Sequence, residues 1–456
     1  MKRHLIGIGG VGMSALATAL VRLGDEVTGA DRTLGTPNIK FLESLGVKVF
    51  PDDGSGVDKS TDEVIVSTAI EKTNAGLIKA RELGIPVTHR AKALARTLKG
   101  YKLVAVVGTC GKSTVTAMLG HVLAECGLDP MCVNGANVPG WEGAVRFGKG
   151  EYAVAEVDES DKSLVAFKPY AAIVTNASAD HYSKEEMDEV FDAFVKDCEG
   201  PVIDGRKDVR IKDFTEVDTS IPGRHNRQNA ALALRMALAL GCDETKARAA
   251  LLSFRGVERR LQLIVPTFEH ANSQTFKHFP AVYDDYAHNP EKLRAMWTTL
   301  AEKYPEGICV IWRPHGYAPL RKMMDALAAM FAETIRPCDK LLLLPVYDAG
   351  GTTDRSVNSD ELVAKIESLE SLESRGKGSE GSRATLGDPE GIVTGWMPGG
   401  SEGSRATLSD PKATLISDLD AAYDWCAAHK GDYAAFVTCG ARDPGLPVLA
   451  RRLSEM

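Results

Sequence analysis

Val104 to Thr116 reads VAVVGTCGKSTVT. A general phosphate loop spaces its residues G-x-x-x-x-G-K-[ST]. Here Val106 holds the place of the first glycine, and Gly108, Gly111, Lys112 and Ser113 form a shorter G-x-x-G-K-S. A glycine-rich turn between strand and helix aims backbone N–H groups at phosphate oxygens. Gly108, Thr109 and Gly111 would shape that turn, Lys112 would neutralise the β/γ-phosphates, and Ser113 or Thr114 would offer a hydroxyl to Mg2+. Glu156, Asp158, Glu159 and Asp161 follow the apolar run YAVA. Carboxylates at the carboxyl end of a parallel strand suit a Mg2+ ion facing bound phosphates. His181, in TNASADHYS, follows another strand end and is a candidate metal or substrate contact. Asn229, in GRHNRQN, either sets an amide against a purine edge or serves its own helix as a cap or packing residue. Arg259 and Arg260 pair in GVERRLQ, where an arginine can reach a γ-phosphate or a transition-state charge. Two more polar clusters end apolar runs: Asp284, Asp285, Tyr286, His288 and Asn289, then Arg313, Pro314 and His315.

Loops of this kind need a parallel sheet behind them. HLIGIGG, EVTGAD, VKVF and EVIVSTAI read as strands, separated by helical patterns from Met13 to Leu23 and around Phe41. Such alternation predicts a doubly wound α/β layer. Gly7, Gly9 and Gly12 form G-x-G-x-x-G between the first strand and its helix, and Asp31 ends the second strand about 20 residues later. That glycine turn is expected to leave its amides open to a phosphate. A basic helical stretch from His89 to Lys102 leads to LVAVVG, and the pattern repeats through YAVAEVDE, AAIVTNA and a long alanine-rich helix ending near Gly241. A third unit opens near Ala281 with AVYDDYAHN and continues through GICVIWRP, KLLLLPVYDAG and YAAFVTCGARD.

The bulk composition excludes several classes. The chain of 456 residues is 44% hydrophobic and 25% charged, with a net charge of -8, an ordinary globular profile. A nucleic-acid scaffold would show a basic excess. No apolar run reaches the ~18 residues of a membrane span, and the N-terminus reads as a strand rather than a signal peptide. Nine scattered cysteines without C-x-x-C pairs favour reduced thiols in a cytoplasmic enzyme. GSEGSRATLGDP from Gly378 recurs as GSEGSRATLSDP from Gly400. The segment around 368–412 is poor in apolar residues and is expected to be a surface insertion.

In order along the chain, GIGGVGMSALA, GTCGKST, EVDESDKS, TNASADH, GRHNRQN, GVERRLQ, DDYAHNP and RPHGY resemble the motifs of the Mur ligases. The resemblance covers nearly the whole chain except the repeat, and the short glycine spacing is that family's own form. It implies three domains: an N-terminal Rossmann-like unit at 1–99, a central P-loop-type ATPase at 100–260, and a C-terminal Rossmann-like unit at 261–456. It implies ATP and Mg2+ as cofactors. ATP phosphorylates the carboxylate of UDP-N-acetylmuramate, and an amino acid, with L-alanine expected, attacks the acyl phosphate in peptidoglycan precursor synthesis.

The roles that the resemblance implies follow the motifs. Gly9, Gly10, Gly12, Asp31, Ser67 and Thr68 would meet the UDP-sugar. Gly108, Thr109, Gly111, Lys112, Ser113, Thr114, Asn229 and Arg260 would bind ATP, with Lys112, His181 and Arg260 catalytic. Ser113, Thr114, Glu156 and His181 would hold metal. Tyr286, His288, Arg313 and His315 would meet the amino acid. Cys110, Ser178 and Gly316 depart from the family pattern, and Gly316 stands where an arginine is usual. A monomer or homodimer without nucleic-acid partners is expected. The alternatives are a ligase for another amino acid or a recovered peptide, a nicotinamide oxidoreductase built on the first glycine motif, and an idle nucleotide-binding module.

Overall fold

The computed structural model describes residues 1–158, 163–177, 184–208, 217–265, 280–348, 353–379 and 411–456, with backbone alone at 163, 184 and 372–379. His181, Ser178, Glu159, Asp161 and both copies of the repeat, apart from Gly378, Ser379 and Pro411, lie outside them. The chain forms two compact units, Met1–Arg260 and Leu261–Met456.

The first unit holds two sheets. Strands β1 (Lys2–Ile6), β2 (Glu26–Asp31), β3 (Lys48–Pro51), β4 (Glu63–Val66) and β5 (Val87–His89) form a parallel sheet in the order β3-β2-β1-β4-β5. The second is built from β6 (Lys102–Val107), β7 (Met131–Val133), β8 (Val145–Arg146), β9 (Tyr152–Glu156), β10 (Ala171–Val174) and β11 (Val202–Asp204), in the order β11-β10-β6-β9-β7-β8. It is parallel except for the β7–β8 pair. One apolar cluster runs from Leu5, Ile8 and Leu16 through Leu94 and Leu98 to Met131, Ala155 and Phe191. The two sheets therefore share a core and form one unit. The expected helix from His89 to Lys102 is shorter, Arg90–Thr97. Lys102 already begins β6, because its neighbours Leu103 to Val107 form a continuous apolar run buried on both faces.

The second unit carries β12 (Gln262–Ile264), β13 (Ala281–Asp285), β14 (Ile308–Trp312), β15 (Lys340–Leu343), β16 (Ala413–Leu415) and β17 (Ala435–Cys439), in the order β12-β13-β17-β14-β15-β16. β12 is antiparallel and the other pairings are parallel. The sequence pattern starts this sheet at Ala281, whereas β12 precedes it. Three residues at an edge are too few to show an alternation.

Helix starts fall into two kinds. Thr36, Asn74, Asp243, Asn289 and Asp418 each cap a helix by accepting from a backbone N–H of its first turn. The helices Val11–Arg22, Lys112–Glu125, Arg224–Ala239 and Tyr317–Thr334 begin instead after Gly10, Gly111, Gly223 and Gly316, with no side-chain cap. An uncapped N-terminus keeps its N–H groups and its positive dipole end for another partner.

His4 marks the price of burial in β1. It is 1% exposed, its Nδ1 lies 2.9 Å from Thr28 Oγ1, and its Nε2 has no partner. Burial pushes its pKa from 6.5 down to about 4, with Asp52 and Asp58 opposing and Lys2 adding to the shift. The neutral ring is the native form. The stability it allows is therefore complete above pH 6.5 and is lost as pH falls towards 4, by about 3 kcal/mol. Urea unfolding between pH 7 and pH 4 is expected to show this loss, and His4→Gln to flatten it. Equal slopes in the two proteins would remove His4 as the cause.

Candidate nucleotide and amino-acid sites

The phosphate loop hangs between two strands. Register sets Val106 of β6 opposite Glu156 of β9, and Val107 opposite Val174 of β10. Glu156 therefore flanks the loop on one side, and Thr175 and Asn176 flank it on the other. Gly108 has φ +131°, and a Cβ there would lie 2.1 Å from Thr175 Oγ1. Gly111 has φ +83°, and a Cβ there would lie 2.5 Å from Asn229 Oδ1. Both glycines are thus required by their neighbours as well as by their backbone angles. Ser113 and Thr114 are buried in the first turn of the helix. Lys112 Nζ folds back to donate to Gly108 O at 2.6 Å, which holds its charge at the mouth of the loop.

Asn176 is the brace of this loop, and the sequence reading passed over it. Its Oδ1 accepts from Thr109 Oγ1 at 2.6 Å and from Cys110 N at 3.0 Å, and its Nδ2 donates to Cys110 O at 3.0 Å. Thr175 Oγ1 donates to the same carbonyl at 2.6 Å. The available signal was the pair Thr-Asn directly after the apolar run AAIV.

Glu156 Oε2 accepts from Gly135 N at 2.8 Å, and a Cβ on Gly135 would lie 2.4 Å from that oxygen. The glutamate is oriented from behind, at the edge of the phosphate loop. A carboxylate with the hydroxyls of Ser113 and Thr114 is a hard oxygen donor set, which fits Mg2+. Asn229 is buried against Gly111, and its Nδ2 donates to Asn226 Oδ1 at 3.3 Å. Of its two readings, the packing one is visible in the structure. Arg260 follows Arg259 and precedes Leu261, both left-handed at φ 58° and 50°. Its own N–H donates to Val257 O at 3.2 Å.

The N-terminal glycine turn departs from expectation. Gly9 N donates to Asp31 Oδ2 at 2.9 Å and Gly10 N to Gly7 O at 3.2 Å, so these amides are turned inward. Asp31 Oδ1 also accepts from Thr33 N at 3.0 Å. Asp31 thus braces the glycine turn through Oδ2 and its own loop through Oδ1. Arg90, which the sequence reading left unassigned, supplies a cation instead: its Nη1 would lie 3.2 Å from a Cβ on Gly12. Ser67 and Thr68 follow β4, the neighbour of β1, and their turn is closed by Ile70 N donating to Ser67 O at 3.2 Å.

In the second unit Tyr286, His288 and His315 come together. Tyr286 and His288 pack edge-on with centroids 5.5 Å apart, and His288 and His315 at 4.7 Å. Arg313 does not join them as a spare cation. Its Nη1 pairs with Asp443 Oδ2 at 2.5 Å and its Nε donates to Pro345 O at 3.0 Å. The reason is register: Trp312 lies opposite Cys439, and the loop after β17 brings Asp443 onto Arg313.

Comparison with known proteins points to one family. A model described as Mur ligase family, catalytic domain, matches residues 2–102, and one described as Mur ligase, glutamate ligase domain, matches 269–388. UDP-N-acetylmuramate–L-alanine ligase of Agrobacterium fabrum is 31% identical over 80% of this chain and 86% of its own length. That of Rubrobacter xylanophilus is 34% identical over 80% and 89%. The chain belongs to the Mur ligase family. Its fold also matches the UDP-N-acetylmuramate-alanine ligase structure from Thermotoga maritima, with a TM-score of 0.74 at 24% identity, covering 100% of this chain and 98% of that one.

In this Mur ligase, Asn176 is a positioning residue for the loop. Asn176→Asp keeps the acceptors, deletes the Nδ2 donor and sets a carboxylate beside the loop. It is expected to raise KM for ATP by at least about tenfold, since a hydrogen bond to a charged or strained loop is worth roughly 1–2 kcal/mol. Titration of phosphate release against ATP checks this, and an unchanged KM would contradict the brace.

Proposed function

We propose that this Mur ligase joins the carboxylate of UDP-N-acetylmuramate to the amino group of L-alanine, through an acyl phosphate, in peptidoglycan precursor synthesis in the cytoplasm. The reading is carried by the phosphate loop, with Lys112 at its mouth and Glu156 at its edge, in a chain more than 30% identical to ligases of that name. ATP with Mg2+ would supply the phosphoryl group and offset its charge. Gly108, Thr109, Gly111 and the uncapped helix start would cradle the phosphates. Lys112 and Arg260 would stabilise the charge of the transferring group. Glu156, Ser113 and Thr114 would hold Mg2+, with His181 a second metal or substrate contact.

In domain terms, residues 1–99 would take the UDP-sugar, 100–260 ATP and Mg2+, and 261–456 the amino acid, with the repeat near 368–412 outside the site. A nicotinamide oxidoreductase is the weaker reading, because it leaves the phosphate loop from Gly108 to Ser113 without a role. The test is phosphate release from ATP with UDP-N-acetylmuramate and each amino acid in turn. L-alanine is expected to support release. Failure of every amino acid to support release would sink the reading, and preference for another amino acid would correct the substrate.

A further inference from the structure

We propose that Arg442 is the residue that anchors the carboxylate of the incoming amino acid; this rests on the ligase reading above. β17 is the last strand in the chain, yet it lies between β13 and β14. Its carboxyl end therefore opens between Tyr286 and His288 on one side and His315 on the other. The loop that follows is held on both flanks. Gly440 N donates to Asp285 O at 3.1 Å, and Arg313 N donates to Cys439 O at 3.1 Å. Asp443 is buried, pairs with Arg313 and accepts from Gly445 N at 2.8 Å. Within this clamped segment Ala441 and Asp443 are buried and Arg442 is exposed.

Charge makes the choice. A carboxylate needs a cation at these strand ends, and Arg313 is already neutralised by Asp443. Arg321 is likewise taken, by Asp354 at 2.8 Å. Among the described residues Arg442 has no ion pair or hydrogen-bond partner for its guanidinium. The neighbouring strand, β14, leads to a second anion-binding element. Gly316, in the loop after β14, opens the helix Tyr317–Thr334 with no side-chain cap. A carboxylate between the guanidinium and this helix start would gain bidentate hydrogen bonds and the favourable end of the dipole. The ion pair between Arg313 and Asp443 is also the contact that ties down the loop carrying Arg442.

Arg442→Ala tests this in the phosphate-release assay. KM for L-alanine is expected to rise at least about tenfold, the lower end for a lost charged hydrogen bond. KM for ATP and for UDP-N-acetylmuramate should stay within about twofold, and Arg442→Lys should recover part of the loss. L-alaninamide, which lacks the carboxylate, should react equally in parent and variant. An unchanged KM for L-alanine, or an equal rise for ATP, overturns the anchor while leaving the ligase reading intact. If the parent chain uses no amino acid at all, the ligase reading falls and takes the anchor with it. Melting curves confirm that both variants are folded.

Discussion

Lys112→Ala is expected to lower turnover by at least about 100-fold, because a preorganised charge at a transferring phosphoryl group is worth roughly 2.7–4 kcal/mol. The structure makes the variant a clean one. Lys112 is half-exposed, and its ammonium makes a hydrogen bond to Gly108 O, within its own loop. Truncation removes this bond, worth about 1 kcal/mol, and leaves the apolar face of the helix, Val115, Met118, Leu119 and Val122, in place. The melting temperature should hardly move while the rate collapses. Lys112→Arg should rescue poorly, since a planar fork cannot replace a compact ammonium folded back onto one carbonyl. Near-normal turnover of the alanine variant in the phosphate-release assay would remove Lys112 from the catalytic role.

Gly108→Ala is expected to be as damaging by a different route. Its methyl would enter the space of Thr175 Oγ1, 2.1 Å away, and would sit on a backbone at φ +131°. Thr175 must then move, and with it the bond to Cys110 O that Asn176 shares. The loop would lose its attachment to β10. Turnover should fall by at least about 100-fold, with a stability loss of about 2–3 kcal/mol from overpacking and strain. Gly127→Ala separates the two causes. Gly127 also has a positive φ, +86°, but a Cβ there would meet nothing within 4 Å. It should show only a backbone cost of about 1–2 kcal/mol and retain turnover. Equal losses of turnover in the two variants would mean that backbone angle, not the contact with Thr175, limits the loop.

Much of this protein was legible in its sequence for a physical reason. Strand, glycine turn and helix are local statements, made by neighbouring residues: five apolar residues of β6, two glycines, a lysine, an amphipathic run. The division of helix starts also follows from residue type, since Thr36, Asn74 and Asp418 have side-chain oxygens that can accept from a first-turn N–H, whereas Gly10, Gly111 and Gly316 have no side chain to do so. Placing ligands at strand carboxyl ends followed from the parallel sheet alone.

Which side chain meets which partner was decided by the tertiary structure. Asn176 braces Cys110 across 66 residues, and Asp443 reaches Arg313 across 130. Asp31 reaches back onto Gly9 across 22 residues. Each of these depends on strand order, and strand order is fixed by the burial of whole layers, not by any local run. The insertion of β17 between β13 and β14 is the clearest case. The sequence alone determined that an arginine follows an apolar strand at Gly440-Ala441; only the folded sheet determined that this strand lies between those that lead to His288 and to His315.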